Sequence, residues 1–292
     1  LLPAGILQFI AGSSGDLLDH LNATDVLGFT GSADTGNMLR SQPHIVNGSV
    51  RVNVEADSLN SAVLGPDVEV GSDTYELFLR EVVTDMTQKT GQKCTAIRRV
   101  FVPSNVADSV IGDFKELLSV VKVGDPTLRE TKMGPLATRS QLRDVTAGIG
   151  LLQEQAEFAV GDGSRGSLNG VDGDKGFFIS PTLLEARDPA NATLVHQHEV
   201  FGPVATLMRY SGEAGEATDL VARGRGGLVS SVYTDDKGFA GDMLSGIAPY
   251  HGRLTFGSAR VAEHSPGPGT VMPALVHGGP GRAGGGEELG GK

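Results

Sequence analysis

One cysteine occurs in 292 residues, and its setting gives it chemical interest. Cys94 lies in Gly91-Gln-Lys-Cys-Thr-Ala-Ile-Arg-Arg99, with a helix-stopping glycine before it and a strand-like run, Ile97 to Val102, after it. The sulfur therefore sits on a tight connection, where a thiolate can act as a nucleophile. A lone cysteine also serves as a small buried apolar residue, and residue type does not separate the two uses. A Cys–His hydrolase would need one of the seven histidines to meet the thiol in space, and no local signature ties any of them to Cys94. His196 and His198 share a face only in an extended segment, and no carboxylate spacing beside them completes a metal set. Gly279, Gly281 and Gly284 form a G-x-G-x-x-G match, but no strand precedes it and no βαβ unit follows. A turn-rich terminal segment is the expectation there.

The elements that must position such a thiol alternate between strand and helix signals, which favours an α/β or α+β fold. Asp25 to Thr30 reads as a short buried strand, with a turn at Gly31-Ser32, and Val50 to Val54 as a second strand with Glu55 at its end. Tyr75, Phe78, Leu79, Val82, Val83 and Met86 form an apolar stripe at helical period, with Gly91 as its stop. A second stripe joins Val106, Val110, Phe114, Leu117, Leu118 and Val121, capped by Ser104 or Asn105 and closed by Asp125-Pro126. Met86 and the aromatics of these stripes are expected in the core. A glycine-rich connection, 161–176, leads to a strand-like run, Phe177 to Ile179.

The formal net charge of −11 argues against a general nucleic-acid binder, which needs a basic face. It leaves room for anionic small molecules held by local charge and backbone donors. No apolar run is long enough to cross a bilayer, so no membrane partner is expected. One cysteine excludes an internal disulfide and a cysteine-rich zinc site. A cytoplasmic protein is the simplest reading, and an opening at Leu1 inside an apolar stretch suggests a fragment.

Several segments, in order, resemble the aldehyde dehydrogenases: Phe29-Thr-Gly-Ser32, Glu55 at a strand end, Gly91-Gln-Lys-Cys94 and Glu199-Val-Phe-Gly-Pro203. The Gly124-Asp-Pro126 and Met133-Gly-Pro135 turns and Ser180-Pro-Thr-Leu-Leu184 are similar too. Val54 to Asn60, Gly91 to Arg99 and His277 to Gly290 narrow the likeness to the branch that serves phenylacetate and benzoyl-CoA breakdown. The resemblance implies an α/β fold: a three-layer catalytic domain with the remnant of a Rossmann-like cofactor domain. The boundaries it suggests are 1–56 for the cofactor-domain part, 57–257 for the catalytic domain and 258–292 for a glycine-rich C-terminal segment. It implies oxidation of a CoA-linked aliphatic semialdehyde to the carboxylate with NAD or NADP. Cys94 would be the nucleophile that carries the acyl group as a thioester, and Glu55 the general base that activates water. Gly31, Ser32, Glu199 and Phe201 would hold the cofactor. Arg98 and Arg99 point opposite ways in an alternating strand, so at most one is expected to line the site. A homo-oligomer is implied as well.

The same resemblance implies a further cofactor-binding half before Leu1, with an oxyanion-holding asparagine and the residues that choose between NAD and NADP. A non-catalytic truncated homologue is therefore the alternative expectation.

Overall fold

The first elements form a small parallel unit. Strands β1 (Val26–Thr30) and β2 (Arg51–Glu55) pair in register, Thr30 opposite Glu55, with helices α1 (Ala33–Arg40) and α2 (Pro43–Asn47) between them. The computed structural model describes residues 3–272, 275 and 277–288, so Leu289 and Gly290 of the C-terminal motif lie outside the described residues.

The chain then builds β3 (Ser61–Leu64), α3 (Asp73–Thr87), β4 (Arg99–Pro103), α4 (Ala107–Ser119) and α5 (Arg139–Leu152). It continues through β5 (Ala156–Val160), β6 (Thr182–Ala186), α6 (Leu194–Gln197), β7 (Val204–Tyr210), α7 (Ala214–Ala222), β8 (Gly227–Tyr233), α8 (Lys237–Ile247) and β9 (His251–Gly257). Seven strands make one sheet in the order β5-β6-β7-β4-β3-β8-β9, parallel except for the β5–β6 edge. Two short strands, β10 (His277–Gly278) and β11 (Glu287–Glu288), pair antiparallel in the glycine-rich segment.

Alternation along the central strands divides the core in two. Ala62 and Leu64 of β3 join Val100 and Val102 of β4 in a cluster under α3 and α4. Val63 and Phe101 face the other way, into a cluster with α5, α7 and α8. A parallel sheet buried on both faces is the arrangement that crossover helices impose. The result is the three-layer α/β architecture.

The stripe from Tyr75 to Met86 forms α3, capped by Ser72, whose side chain accepts from the Tyr75 amide. Met86 is fully buried among apolar neighbours, as its spacing predicts. Three local expectations differ. Helix α3 stops at Thr87, before Gly91, because Lys89 and Thr90 already take positive φ. Helix α4 starts at Ala107 after Val106, without a side-chain cap from Ser104 or Asn105. Phe177 to Ile179 is irregular, and the strand begins at Thr182, after Pro181; a proline lacks the donor a ladder requires.

Candidate active site

Cys94 follows a turn with three successive left-handed residues, Lys89 (φ 53°), Thr90 (φ 58°) and Gly91 (φ 67°). Such backbone costs on the order of 1 kcal/mol for each non-glycine residue, so it persists only where the surroundings fix it. A Cβ on Gly91 would overlap the Gly202 carbonyl, so glycine is required there. Arg98 spans the gap, donating from Nη2 to the Gly91 carbonyl and from Nη1 to the Gly202 carbonyl, each at 2.8 Å. Fully buried Asn60 supplies the second tie. Its amide nitrogen donates to the carbonyls of Cys94 at 2.8 Å and Ala96 at 2.9 Å, while its oxygen accepts from Val229 N and the Ser58 hydroxyl. All its hydrogen-bonding capacity is used on the cysteine loop, β8 and Ser58.

Glu55 ends β2, where parallel pairing with Thr30 brings it beside the Gly31-Ser32 turn. Its Oε1 lies 3.1 Å from His277 Nε2, and that same nitrogen is 3.6 Å from Cys94 Sγ. Arg253 Nη1 approaches the other ring nitrogen, Nδ1, at 3.2 Å. The contacts with Cys94 and then Glu55 push His277 up to about 10. Burial pulls Arg253 down, offset in part by the charges of Cys94 and Asp85.

His277 arrives on a backbone packed against other backbone. Ala56 N donates to the Ala283 carbonyl, Gly286 N to the Val54 carbonyl and Arg282 N to the Arg225 carbonyl. A Cβ at Gly279 would meet the Gly227 carbonyl, and one at Gly284 the Val54 carbonyl. The glycine-rich segment thus forms a ribbon under β2 and β8, a closer integration than its composition suggests.

Gly31, Ser32, Glu55, Cys94, Glu199 and Phe201 all line one cavity of about 640 Å³. Ser32 caps α1, accepting from the Thr35 amide, and the Ala33 amide is taken by Asp57. Glu199 accepts from Arg98 Nε at 3.2 Å and Ser58 N at 3.1 Å. Burial raises its pKa, and the Arg98 charge opposes that. Phe201 stacks over the Arg98 guanidinium, 5.4 Å from centroid to Cζ. Neither Arg98 nor Arg99 lines this cavity. Arg98 clamps loops, and Arg99 lies fully buried on the far side of β4's start.

Among the described residues, the cavity wall carries four carboxylates, from Asp34, Glu55, Asp57 and Glu199, against the single guanidinium of Arg282. It suits hydroxyl-bearing and cationic groups better than phosphates. Two buried atoms on it, Gln141 Oε1 and Arg282 Nε, lack a hydrogen-bond partner among the described residues. A bound molecule with a donor and an acceptor could satisfy both. His277, Arg253, Asn60, Gln141 and Arg282 are the residues that reading the sequence did not single out for the site. The only signal for His277 was its place at the head of the C-terminal motif.

A family model described as the aldehyde dehydrogenase family matches residues 1–290. The chain belongs to that family. It is 41% identical over 280 residues to 3,4-dehydroadipyl-CoA semialdehyde dehydrogenase of Aromatoleum evansii, covering 96% of this chain and 54% of the relative. Protein MaoC of Klebsiella aerogenes is 40% identical over 160 residues, 54% of this chain and 46% of that one. The chain therefore spans about half the length of these curated relatives. Among solved structures, apo betaine aldehyde dehydrogenase of Staphylococcus aureus superposes with a TM-score of 0.80 at 24% identity, covering 97% of this chain and 52% of that one. PnpE from Pseudomonas sp. WBC-3 gives a TM-score of 0.73 at 26% identity, covering 91% and 50%.

Proposed function

We propose that this chain is the catalytic part of an NAD(P)-dependent aldehyde dehydrogenase that oxidises a CoA-linked aliphatic semialdehyde to its carboxylate, in aromatic catabolism of the phenylacetate type. The observation that carries this reading is the convergence of all six candidate residues on one cavity. The name of the Aromatoleum evansii relative supports the substrate class. Cofactor use is supported by a Staphylococcus aureus betaine aldehyde dehydrogenase structure in complex with NAD+.

The cavity fits the nicotinamide end of such a cofactor. Its carboxylates favour the cationic ring and the ribose hydroxyls, and the unpartnered Gln141 and Arg282 atoms offer an acceptor and a donor. Glu199 and Phe201 would hold ribose and ring, and the Gly31-Ser32 turn would let the chain beyond them approach the backbone. When bound, the dinucleotide would supply the acceptor for the hydride that leaves the substrate.

The chain's own residues govern the steps on either side. The Cys94 thiolate forms a bond to the aldehyde carbon, and after oxidation Cys94 carries the acyl group as a thioester. Glu55 takes a proton from water, the resulting hydroxide character attacks the thioester carbon, and the C–S bond breaks to give a free carboxylate and the thiol. A base for water favours hydrolysis over transfer to an incoming CoA, so CoA is a handle already on the substrate. Among the described residues no helix is long and apolar enough to cross a membrane. A cytoplasmic location is part of the proposed reading. A homo-oligomer belongs to the same reading.

A thermal scan with saturating NAD or NADP comes first, because a ligand that binds only the folded state at a hundredfold excess over Kd adds about 2.7 kcal/mol. The expected outcome is a raised Tm, followed by oxidation of a linear aldehyde that Cys94→Ala abolishes and Glu55→Gln slows by roughly 10²- to 10⁴-fold. A cooperative transition that neither dinucleotide moves would count against the reading.

A further inference from the structure

Between the two candidate reacting groups stands a side chain to which neither the family likeness nor the relatives' names give a role. We propose that His277 is a positioning residue whose Nε2–H is shared between Cys94 Sγ and Glu55 Oε1, so that a thiolate and a carboxylate can stand side by side in a buried site. The proposal rests on Cys94 as nucleophile and Glu55 as base.

The geometry supplies the argument. Sγ, Nε2 and a Glu55 oxygen all lie within 4.8 Å of one another, with Nε2 at 3.6 Å from the sulfur and 3.1 Å from the carboxylate. Two anions that close repel strongly where water is scarce, and a hydrogen-bond donor set between them lowers that cost. The donor's presence is fixed from the far side of the ring. Arg253 Nη1 lies 3.2 Å from Nδ1, and a guanidinium has only donors to offer. A neutral ring must therefore turn its lone pair to Arg253 and keep its hydrogen on Nε2. A protonated ring carries that hydrogen as well, so Nε2 donates in both charge states.

Arg253 is itself held, donating from Nη2 to the Pro268 carbonyl at 3.2 Å, and His277 is buried on β10. Among the described residues, the titratable and charged groups in contact with the ring include Glu55 from β2, Cys94 from its loop and Arg253 from β9.

The test uses alkylation of Cys94, the chain's one thiol, by iodoacetamide across pH 6 to 10. His277→Phe keeps the bulk and removes the donor. It should alkylate about tenfold more slowly at pH 7, with its rate midpoint displaced upward by about one pH unit. His277→Gln places an amide N–H near the Nε2 position and should recover most of that loss. Adding Glu55→Gln should accelerate alkylation more in the His277→Phe background than in the native chain, because the Nε2–H no longer lies between the two charges. A His277→Phe profile superimposed on the native one, or a Gln variant no better than Phe, would overturn the proposal. If the Phe variant does not fold, ¹⁵N-histidine NMR of the native chain decides. A protonated Nε2 at pH 7 whose resonance moves on Cys94 alkylation supports the proposal, and an unprotonated Nε2 overturns it. Neither measurement needs aldehyde or dinucleotide, so failure here is distinct from failure of the dehydrogenase reading.

Discussion

His196 and His251 are two residues whose burial lowers the stability of the fold in acid. His196 donates from Nε2 to the Pro189 carbonyl and accepts at Nδ1 from Arg99, while His251 contacts the Ile247 carbonyl through Nδ1. Burial pulls both down to about 4. Below pH 6.5 the unfolded chain takes up protons that these folded rings refuse, so stability falls until about pH 4, by up to about 3 kcal/mol apiece. His277 acts with the opposite sign. Its pKa is raised, so its contribution is full below pH 6.5 and is lost as pH climbs through about 10. Urea midpoints should therefore peak near pH 6.5 and decline on both sides, and His277→Gln should flatten only the alkaline limb. A midpoint unchanged between pH 7 and pH 4.5 would contradict the acid half of this account. Cys94 could be singled out from the sequence because it is unique and flanked by turn and strand signals. His277 could not, because 183 and 222 residues separate it from the two side chains it touches.

Arg99 shows how one side chain joins several elements. All five donors of its guanidinium find acceptors: Leu59 O twice, Leu220 O, Val221 O and His196 Nδ1. Leu220 and Val221 belong to the last turn of α7, so the charge meets carbonyls at the negative end of a helix. Full burial pulls Arg99 down to about 9. Arg99→Lys keeps a charge but has three donors in place of a planar five, leaving buried acceptors unmet. We expect it to destabilise the chain by about 2–4 kcal/mol in urea unfolding. A change below about 0.5 kcal/mol would refute the clamp. Helices α3 and α4 were legible because an apolar stripe at period 3.6 survives any tertiary context. Strand β3 was not, since four residues opening with Ser61 carry too little pattern, although it lies in the interior of the sheet between β4 and β8. Of the adjacent arginines, at most one is expected to line the site, and neither does. Their burial and their carbonyl partners, which decide the matter, belong to distant segments.

Taken whole, the chain leaves an apolar run uncovered near its start: Ile6, Leu7, Phe9 and Ile10 are all more than half exposed, Phe9 to 90%. With a net charge of −11 on the rest of the chain, self-association through this run is the expected way of covering it. Light scattering should then give a mass above that of one chain, and Leu7→Lys with Phe9→Lys should return the monomer. A native chain that is already monomeric would argue against the oligomer. The ribbon that carries His277 has a consequence for the order of assembly. A ribosome delivers Glu55 and Cys94 long before His277, and the pairing of most distant partners is the slowest to close. The core clusters involve β3 to β9 and their helices, so the sheet can form while the thiol and the carboxylate still lack their common donor. Catalytic competence would then mature after the bulk of folding, as a late docking event, and the time course of Cys94 reactivity would lag behind that of helix formation.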